Sequence, residues 1–126
     1  MPTEKKAAIS QYNIEGKELE AFLGPLEAEV IKTVWSFKKR PITVRVVHEA
    51  LKKKKQIAYT TIMNTMDRLY EKDLLDRRIE KGKGGWYYAY WPKLEEQKFK
   101  EIAVNEVLNS LLENFGDIVA NYYGKY

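Results

Sequence analysis

Apolar residues recur in this chain with two different periods, and the change between the two limits the fold more than any other feature. In "QIAYTTIMNTMDRLYEKDLLDRR", residues 56–78, small polar residues are followed by apolar residues at helical spacing. In "WYYAYWP", residues 86–92, every second large aromatic residue shares one side, as in a strand. The chain therefore combines helices with a small sheet.

The spacing predicts three helices before the change of period and a long helical region after it. The first helix begins at Gly24-Pro25, because proline suits the first helical position, and the second follows Thr43 as N-cap. The tip "KGKGG" joins two strands, because glycine supplies the positive φ angles of a hairpin turn. The expected helices cover 25–37, 44–53, the part of 56–73 with helical spacing, and 94–113 with a short final piece; the strands cover 75–80 and 86–91.

This order of elements predicts a mainly α fold with a small antiparallel β-hairpin: a winged helix-turn-helix followed by a C-terminal dimerisation helix. We expect an N-terminal arm over 1–22 that is mobile and settles near Leu19, the winged helix over 23–92 and a helical dimerisation region over 93–126. Apolar residues within 99–112 have no obvious partner once the helices and the hairpin have closed their core. We therefore expect a second copy to cover them, with a hinge at residues 92–94.

The residue types that are missing exclude much chemistry. The 126 residues include no cysteine, so disulfides, thiolate metal sites and cysteine nucleophiles are excluded. His48 is the single histidine, and Glu27 and Glu29 have no nucleophile or metal partner in view. We expect no enzymatic activity, no metal site and no cofactor. No apolar run approaches the ~20 residues that span a bilayer, so we expect a cytoplasmic protein without membrane contact.

The distribution of charge indicates the kind of partner. The net charge is +4, but residues 23–92 hold 15 Lys and Arg against 8 Asp and Glu, a net charge of +7, whereas the two ends sum to −3. A basic centre between slightly acidic ends indicates that one part of the chain meets a polyanion.

The third helix carries the residues best suited to such a partner. In a helix-turn-helix, the N-terminal residues of this element reach base edges in the major groove. Thr60, Thr61 and Asn64 turn away from the apolar side, and so do Asp67 and Arg68. Hydroxyl groups suit phosphate, Asn64 can pair with adenine unless it only caps or solvates the helix, and arginine can reach guanine or phosphate.

Three further features each admit two interpretations. The alternating aromatics Trp86, Tyr88 and Tyr90 favour the half-buried core of a strand over a stacking platform for single-stranded nucleic acid. The run of lysines at 52–55 favours a solvated helix end over a phosphate clamp. The segment "GKGG" is a turn rather than a phosphate-binding loop, because it lacks the Lys-Ser/Thr ending.

The motifs "LGPLEAEVIKTVW", "ITVRVVHEAL", "IAYTTIMNTMDRLYEKDLL" and "YYAYWP", which run from Leu23 to Pro92, resemble the penicillinase-repressor (BlaI/MecI-type) transcriptional regulators. The resemblance implies a dimeric repressor in which C-terminal helices of two subunits interlock. It also implies that the wing spans 81–85 and that the wing lysines contact the DNA backbone. The predicted DNA-binding residues are Tyr59, Thr60, Thr61, Asn64, Arg68, Lys81 and Lys83.

The chain also departs from that family. It lacks the cysteine pairs of the copper-sensing branch, so it is not expected to sense metal in that way. The Asn114-Phe115 dipeptide is similar to the cleavage point of the antibiotic-sensing branch, although the chain after it is shorter than usual there.

Two functions from different classes are compatible with these observations. The first is a repressor that binds an inverted-repeat operator in double-stranded DNA as a homodimer. The second is a winged helix used as a protein-protein interaction module without sequence-specific DNA binding. The basic centre and the hydroxyl-rich helix start favour the first function.

Overall fold

The computed structural model describes residue 9 and residues 11–124. Four α-helices and one two-stranded antiparallel hairpin follow each other along the chain, preceded by a short 3₁₀ helix, Glu18–Ala21. This order confirms the predicted winged helix-turn-helix fold class. The elements are α1 (Pro25–Ser36), α2 (Val44–Leu51), α3 (Tyr59–Glu71), β1 (Leu75–Gly82), β2 (Gly85–Pro92) and α4 (Glu96–Tyr123).

The ends of the first helices follow from local chemistry. Pro25 occupies the first position of α1, and the Glu27 side chain accepts a hydrogen bond from the Gly24 N–H at 3.0 Å. Thr43 caps α2, because its hydroxyl oxygen accepts a hydrogen bond from the Val46 N–H at 3.3 Å. The predicted starts of α1 and α2 are thus confirmed.

Helices α1, α2 and α3 bury the apolar sides that the helical spacing predicted. Each helix contributes several side chains that are almost completely removed from solvent, and β2 adds Tyr90. Burial of such side chains is the main source of stability in a domain of this size. The helical core residues are Val30, Ile31, Val34, Val47, Leu51, Ile62, Met66 and Leu69.

The hairpin packs its base against these helices. Strands β1 and β2 are in register from Leu75 opposite Pro92 to Gly82 opposite Gly85, so Lys83 and Gly84 form the turn. Gly85 has φ +113°, a conformation that favours glycine. Ile42, just before α2, pairs with Tyr90 through two backbone hydrogen bonds of 2.8 and 2.7 Å, which adds an isolated antiparallel bridge beside the hairpin.

The segment before α1 packs on the helical core from Leu19 onward, the point at which the predicted arm was expected to settle. Leu19, Ala21 and Phe22 are buried, and the Asn13 N–H donates to the Ala21 carbonyl at 2.7 Å. Apolar residues that cover the helical core remove their surface from water, which fixes this segment in place. The remainder of the predicted arm, residues 1–8 and 10, lies outside the described residues.

The first turns of α4 also belong to the core of this chain. The Phe99 ring is completely buried, 6.2 Å from the rings of both Phe22 and Trp35, and Ala103 is buried as well. The expectation that the whole stripe 99–112 lacks a partner is therefore wrong for its first part. The segment before α1 provides the surface that receives Phe99, and its irregular pattern did not reveal this role.

The link into α4 is held by hydrogen bonds. The Lys93 N–H donates to the Leu74 carbonyl at 2.8 Å, and the indole N–H of Trp35 donates to the Leu94 carbonyl at 2.7 Å. The segment 92–94, predicted as a hinge, is therefore held by hydrogen bonds to Leu74 and to Trp35. Within α4 the backbone departs from helical geometry at Phe115, with φ −136° and ψ 34°, which matches the predicted separate final piece.

Beyond Ala103, α4 exposes an apolar stripe that we call the pairing face. Six of its members recur at alternating spacings of four and three, the pattern by which two helices pack along each other, and Leu112 widens the stripe beside Leu111. The side chain of Ile118 is 68% exposed and that of Leu112 is 51% exposed. The pairing face comprises Val104, Leu108, Leu111, Leu112, Phe115, Ile118 and Tyr122.

Candidate nucleic-acid interface

Helix α3 presents an open N-terminus to solvent. Its N-cap residue, Ala58, makes no side-chain capping hydrogen bond. The Thr61 and Ile62 N–H groups both donate to the Ala58 carbonyl, so among the described residues the N–H groups of Tyr59 and Thr60 are the ones left without an acceptor at this terminus. Such a terminus carries a partial positive charge and favours an anion.

The side chains at this terminus form a surface that we call the reading face, consisting of Tyr59, Thr60, Thr61 and Asn64. All four are exposed. Within the described part of the chain, the side chains of Thr60, Thr61 and Asn64 make no hydrogen bond. Capping by Asn64 is thus not observed, and these polar groups remain available to a partner.

Two neighbours support Tyr59 and extend the reading face. The His48 ring lies edge-on to the Tyr59 ring at 5.6 Å, and His48 Nε2 is 2.8 Å from the Ile57 carbonyl oxygen. Met63, one turn after Tyr59, is 38% exposed on the same side. An apolar side chain there can contact a thymine methyl group. Sequence reasoning missed Met63, although its position one turn from Tyr59 indicates this location.

Arg68 is placed differently from the other predicted residues of α3. Its Nε lies 3.5 Å from a Glu27 carboxylate oxygen, and its guanidinium also donates to the Thr65 hydroxyl at 3.2 Å. Arg68 therefore ties α3 to α1. Its side chain is still 52% exposed, so a DNA contact by Arg68 stays a prediction.

Glu27 is the buried centre of this ion-pair cluster. Lys72 donates to both of its carboxylate oxygens, at 2.9 and 3.0 Å. Burial raises the pKa of Glu27, but the Lys72 and Gly24 hydrogen bonds and the charges of Lys72 and Arg68 outweigh it and lower the pKa below 4.5. The charged carboxylate is therefore a structural joint between α1 and α3.

A second joint fixes the hairpin to α3. One Asp67 carboxylate oxygen accepts hydrogen bonds from Arg77 at 2.7 Å and from the Tyr90 hydroxyl at 3.1 Å. The Arg77 guanidinium lies between the rings of Tyr70 and Tyr88, 3.9 and 4.0 Å from their centres. Burial and the Asp67 carboxylate raise the pKa of Tyr90 to about 12, although Arg77 opposes this shift. The hydroxyl is therefore a neutral donor, and the hairpin keeps a fixed angle to α3.

The outer half of the hairpin is uncovered, which corrects the prediction for its aromatics. Tyr90 is completely buried as expected, but Trp86 is 71% exposed and Tyr88 is 38% exposed. Both were predicted to lie in the core because they alternate with Tyr90. The helices cover only the base of the hairpin, so the same side of β2 passes from core to solvent along its length.

The hairpin tip carries two of the predicted cations. Lys81 and Lys83 are exposed, and neither forms an ion pair with another described residue. The Lys81 ammonium lies 5.8 Å from the centre of the Trp86 ring. Exposed lysines without an ion-pair partner among the described residues are suited to phosphate groups.

The lysine run at 52–55 is divided between two roles. Lys52 pairs with Glu49 at 2.9 Å, and Lys55 pairs with Glu29. Lys53 and Lys54 form no ion pair within the described residues, and Lys53 lies in a depression next to Ala58 at the start of α3. Half of the run is thus a neutralised helix end, whereas Lys53 is near the reading face.

In residue 9 and residues 11–124, no three His, Asp or Glu side chains converge to hold a metal ion. None of the helices in the described part of the chain is both long and apolar enough to cross a lipid bilayer.

The three-helix core, the hairpin fixed to α3 and the open polar start of α3 define a winged helix-turn-helix protein. The sequence profile of the family described as penicillinase repressor matches residues 23–125. The chain therefore belongs to the penicillinase repressor family of transcriptional regulators, and the resemblance found in its motifs is confirmed.

Individual relatives agree with this assignment. The chain is similar to the transcriptional regulator BlaI of Mycobacterium tuberculosis, in strains CDC 1551 / Oshkosh and H37Rv, with 47% identity over 53 residues. That match covers 42% of this chain and 38% of the relative. A solved structure, a possible transcriptional regulator from Methanosarcina mazei Go1, has a TM-score of 0.60 at 20% identity over 79% of both chains, which supports the fold alone.

Proposed function

We propose that this protein is a repressor that binds a specific inverted-repeat sequence in double-stranded DNA as a homodimer. The observation that carries the proposal is the reading face. Its hydroxyl and amide groups have no hydrogen-bond partner within the described residues, and they surround a helix terminus that suits phosphate. Asn64 would pair with an adenine in the major groove, and Thr60 and Thr61 would bond to bases or phosphates.

The cations around the reading face support binding to a polyanion. Lys53 lies beside the start of α3, and Lys81 and Lys83 lie at the outer end of the hairpin whose base is bonded to α3 through Asp67. Such cations would suit DNA phosphates. They would add affinity for any sequence, whereas the reading face would add discrimination between sequences.

The pairing face supports the homodimer. Leu108, Leu111, Leu112, Ile118 and Val119 line an open apolar groove along the second half of α4. Each large apolar side chain that a second copy covered would contribute roughly 1.5–3 kcal/mol. A two-fold dimer of this kind presents its two α3 helices in opposite senses, which requires an inverted repeat in the DNA.

Matched variants of the two surfaces test the function. Asn64→Ala and Thr61→Ala are expected to weaken binding to a selected operator by about 1–3 kcal/mol each while leaving random duplex unaffected. Lys81→Ala and Lys83→Ala are expected to weaken both duplexes and to lower the salt slope by about one for each phosphate contact. Equal losses on both duplexes for all four variants would remove Asn64 and Thr61 from base recognition.

Exposure of Trp86, Tyr87 and Ile79 on the hairpin favours a second candidate function, a protein-protein interaction module. A filter-binding titration of duplex DNA at two salt concentrations separates the two functions. A DNA-binding protein loses affinity steeply as salt rises, because counterions are released from the phosphates. An interaction module would bind duplex weakly at both concentrations.

A further inference from the structure

The segment before α1 folds back on itself and forms a compact element that we call the brace, residues 11–22. The Asn13 N–H donates to the Ala21 carbonyl at 2.7 Å, which closes the element. A Cβ atom on Gly16 would clash with the Glu20 carbonyl oxygen, so this close approach of two backbone segments requires glycine. The brace therefore has a defined backbone path.

The brace is packed against the first turns of α4. The Phe22 ring meets the Phe99 ring edge to face, with ring centres 6.2 Å apart. The Lys100 ammonium lies 3.6 Å from a Glu18 carboxylate oxygen. Leu19 is buried, and Glu18 has φ 55°, a conformation that a non-glycine residue keeps where surrounding contacts fix the backbone. The brace thus presents α4 with a fixed surface.

The link before α4 and the brace constrain different properties of the helix. The hydrogen bonds of Lys93 and Leu94 fix the place at which α4 begins. A fixed direction requires a further contact within the helix, because a single anchored end leaves a helix free to tilt. Phe99 supplies it, since its ring contacts both Trp35 of α1 and Phe22 of the brace. The direction of α4 therefore depends on the brace.

The length of α4 turns a small change of this direction into a large displacement. Leu112 of the pairing face lies sixteen residues after Glu96, about 24 Å along the helix axis. A tilt of about 10° at the base would move Leu112 by about 4 Å relative to the winged-helix body, α1 to β2. A two-fold dimer repeats the change in both subunits, so the two α3 helices would shift by more than the rise of one base pair, about 3.4 Å.

We propose that the brace is a positioning element that sets the angle between the winged-helix body and α4, and thereby the half-site spacing that the homodimer accepts. The residues that carry this role are Glu18, Leu19 and Phe22. The inference rests on the proposed function, because spacing has a meaning only for a homodimer on an inverted repeat. The brace lies outside residues 23–125, which match the family profile, so the family assignment does not account for it.

The first experiment measures spacing discrimination, the affinity for the selected inverted repeat divided by the affinity after its spacer is lengthened by one or two base pairs. The wild type is expected to bind the altered sites about tenfold more weakly, because its α3 helices no longer match both half-sites. Phe22→Ala is expected to lose less than about threefold, because its α4 can adopt other angles. Both proteins are expected to bind a single half-site equally well, because the reading face is unchanged.

Two further variants separate positioning from a general loss of stability. Leu51→Ala is the matched control, because it also removes a buried side chain but lies in α2. It is expected to melt at a lower temperature, as Phe22→Ala is, and to keep the spacing discrimination of the wild type. Phe22→Leu keeps an apolar side chain against Phe99 and is expected to restore most of the discrimination.

A second pair of variants removes no buried side chain and decides the question if Phe22→Ala does not fold. Lys100→Glu places a carboxylate beside Glu18 and Glu96, whose carboxylates lie 3.6 and 3.2 Å from the Lys100 ammonium. Lys98→Glu makes the same change of charge at an exposed position of α4 without an ion pair in the described part of the chain. Lys100→Glu is expected to lower the spacing discrimination, whereas Lys98→Glu is expected to match the wild type.

Spin labels report the angle itself, because the chain contains no cysteine and accepts a single label cleanly. Lys32→Cys places that label on an exposed position of α1. The dipolar coupling between two labels then gives the distance between the two bodies of a dimer. The distance distribution is expected to be narrow with the wild-type brace and broader when Phe22→Ala or Lys100→Glu is added.

The outcomes separate this inference from the proposed function. Unchanged spacing discrimination and an unchanged distance distribution in Phe22→Ala and Lys100→Glu would overturn the role of the brace and leave the DNA-binding homodimer intact. The inference also fails if Leu51→Ala relaxes the spacing as much as Phe22→Ala does, because lost stability then explains the effect. A labelled wild-type chain without dipolar coupling, or one that binds the inverted repeat no better than a single half-site, would instead contradict the homodimer.

Discussion

The winged-helix body, from α1 to β2, buries the apolar residues of its core, whereas the second half of α4 exposes its apolar residues to solvent. In the body, the side chains of Leu69, Met66 and Tyr90 have no exposed surface. In the second half of α4, Leu112 and Ile118 have more than half of their surface exposed. The body completes its own core, whereas α4 carries an apolar stripe that the rest of the described chain leaves exposed. If a second copy covers that stripe, as proposed, substitutions in the two regions are expected to have separable effects on folding and on assembly.

The largest effect is expected from a substitution that shortens a buried side chain inside the winged-helix body. Leu69→Ala removes a fully buried side chain of α3 and leaves a cavity. The expected loss is about 2–5 kcal/mol in the free energy of unfolding. Urea unfolding followed by circular dichroism, at one protein concentration for all variants, measures it. A loss below ~1 kcal/mol would mean that the body is less closely packed than its burial indicates.

A substitution that shortens a side chain of the pairing face is expected to weaken dimer formation. Leu112→Ala is expected to weaken the dimer by about 1.5–3 kcal/mol, because a side chain covered by the second copy is lost. Sedimentation equilibrium measures the dissociation constant. Glu113→Ala is the matched control, because Glu113 lies on the opposite side of α4 and its removal is expected to leave the dimer intact. Equal behaviour of the two variants would contradict the assignment of the pairing face.

The joint between α1 and α3 is expected to make the body sensitive to acid. The pKa of Glu27 is lowered in the folded protein, so its stabilising effect is fully present above about pH 4.5 and is lost as the pH falls through the folded pKa. Glu27→Gln is expected to cost about 1–3 kcal/mol at neutral pH. Its stability should decline less than that of the wild type below pH 4.5. Parallel pH profiles for the two proteins would exclude Glu27 as the acid-sensitive group.

The smallest effect is expected at the joint between α3 and the hairpin. Asp67→Asn is expected to cost about 0.5–1.5 kcal/mol, because one charged acceptor of Arg77 and Tyr90 is replaced by a neutral one. It should also lower the pKa of Tyr90 from about 12, which NMR of ring-labelled tyrosines can follow. In the wild type, this raised pKa means that stability falls as the pH rises from 10 towards 12. An unchanged Tyr90 pKa in the variant would show that burial alone sets it.

The same comparison explains which features were predictable from the sequence. The buried sides of α1, α2 and α3 were predicted because a helix repeats its environment every turn, so Val30, Val47 and Ile62 stand in regular patterns. The hairpin was predicted from alternation and a glycine-rich turn, but alternation cannot show where cover by the helices ends. For that reason Tyr90 was placed correctly and Trp86 was not.

The features that were missed depend on contacts between distant segments. Glu27 and Lys72 are 45 residues apart, and nothing local to Glu27 indicates the pair. Phe99 was assigned to the dimer contact because the segment around Phe22 that receives it has no regular period. The outward direction of Thr60, Thr61 and Asn64 followed from helical spacing, whereas Tyr59 was added from the family resemblance. The engagement of Arg68 by Glu27 required the packing of α1 on α3.

The most direct test of the division between body and pairing face uses the spacing of the DNA site. A selected inverted repeat is compared with the same site after insertion of about 5 bp between its halves, which turns one half-site to the far side of the duplex. A dimer that forms through the pairing face, with each body fixed to the base of its own α4, is expected to bind the intact site as two chains per duplex. Its affinity for the altered site should fall towards that for a single half-site. Equal affinity for the two duplexes, or one chain per intact site, would contradict the pairing of two winged-helix bodies through α4.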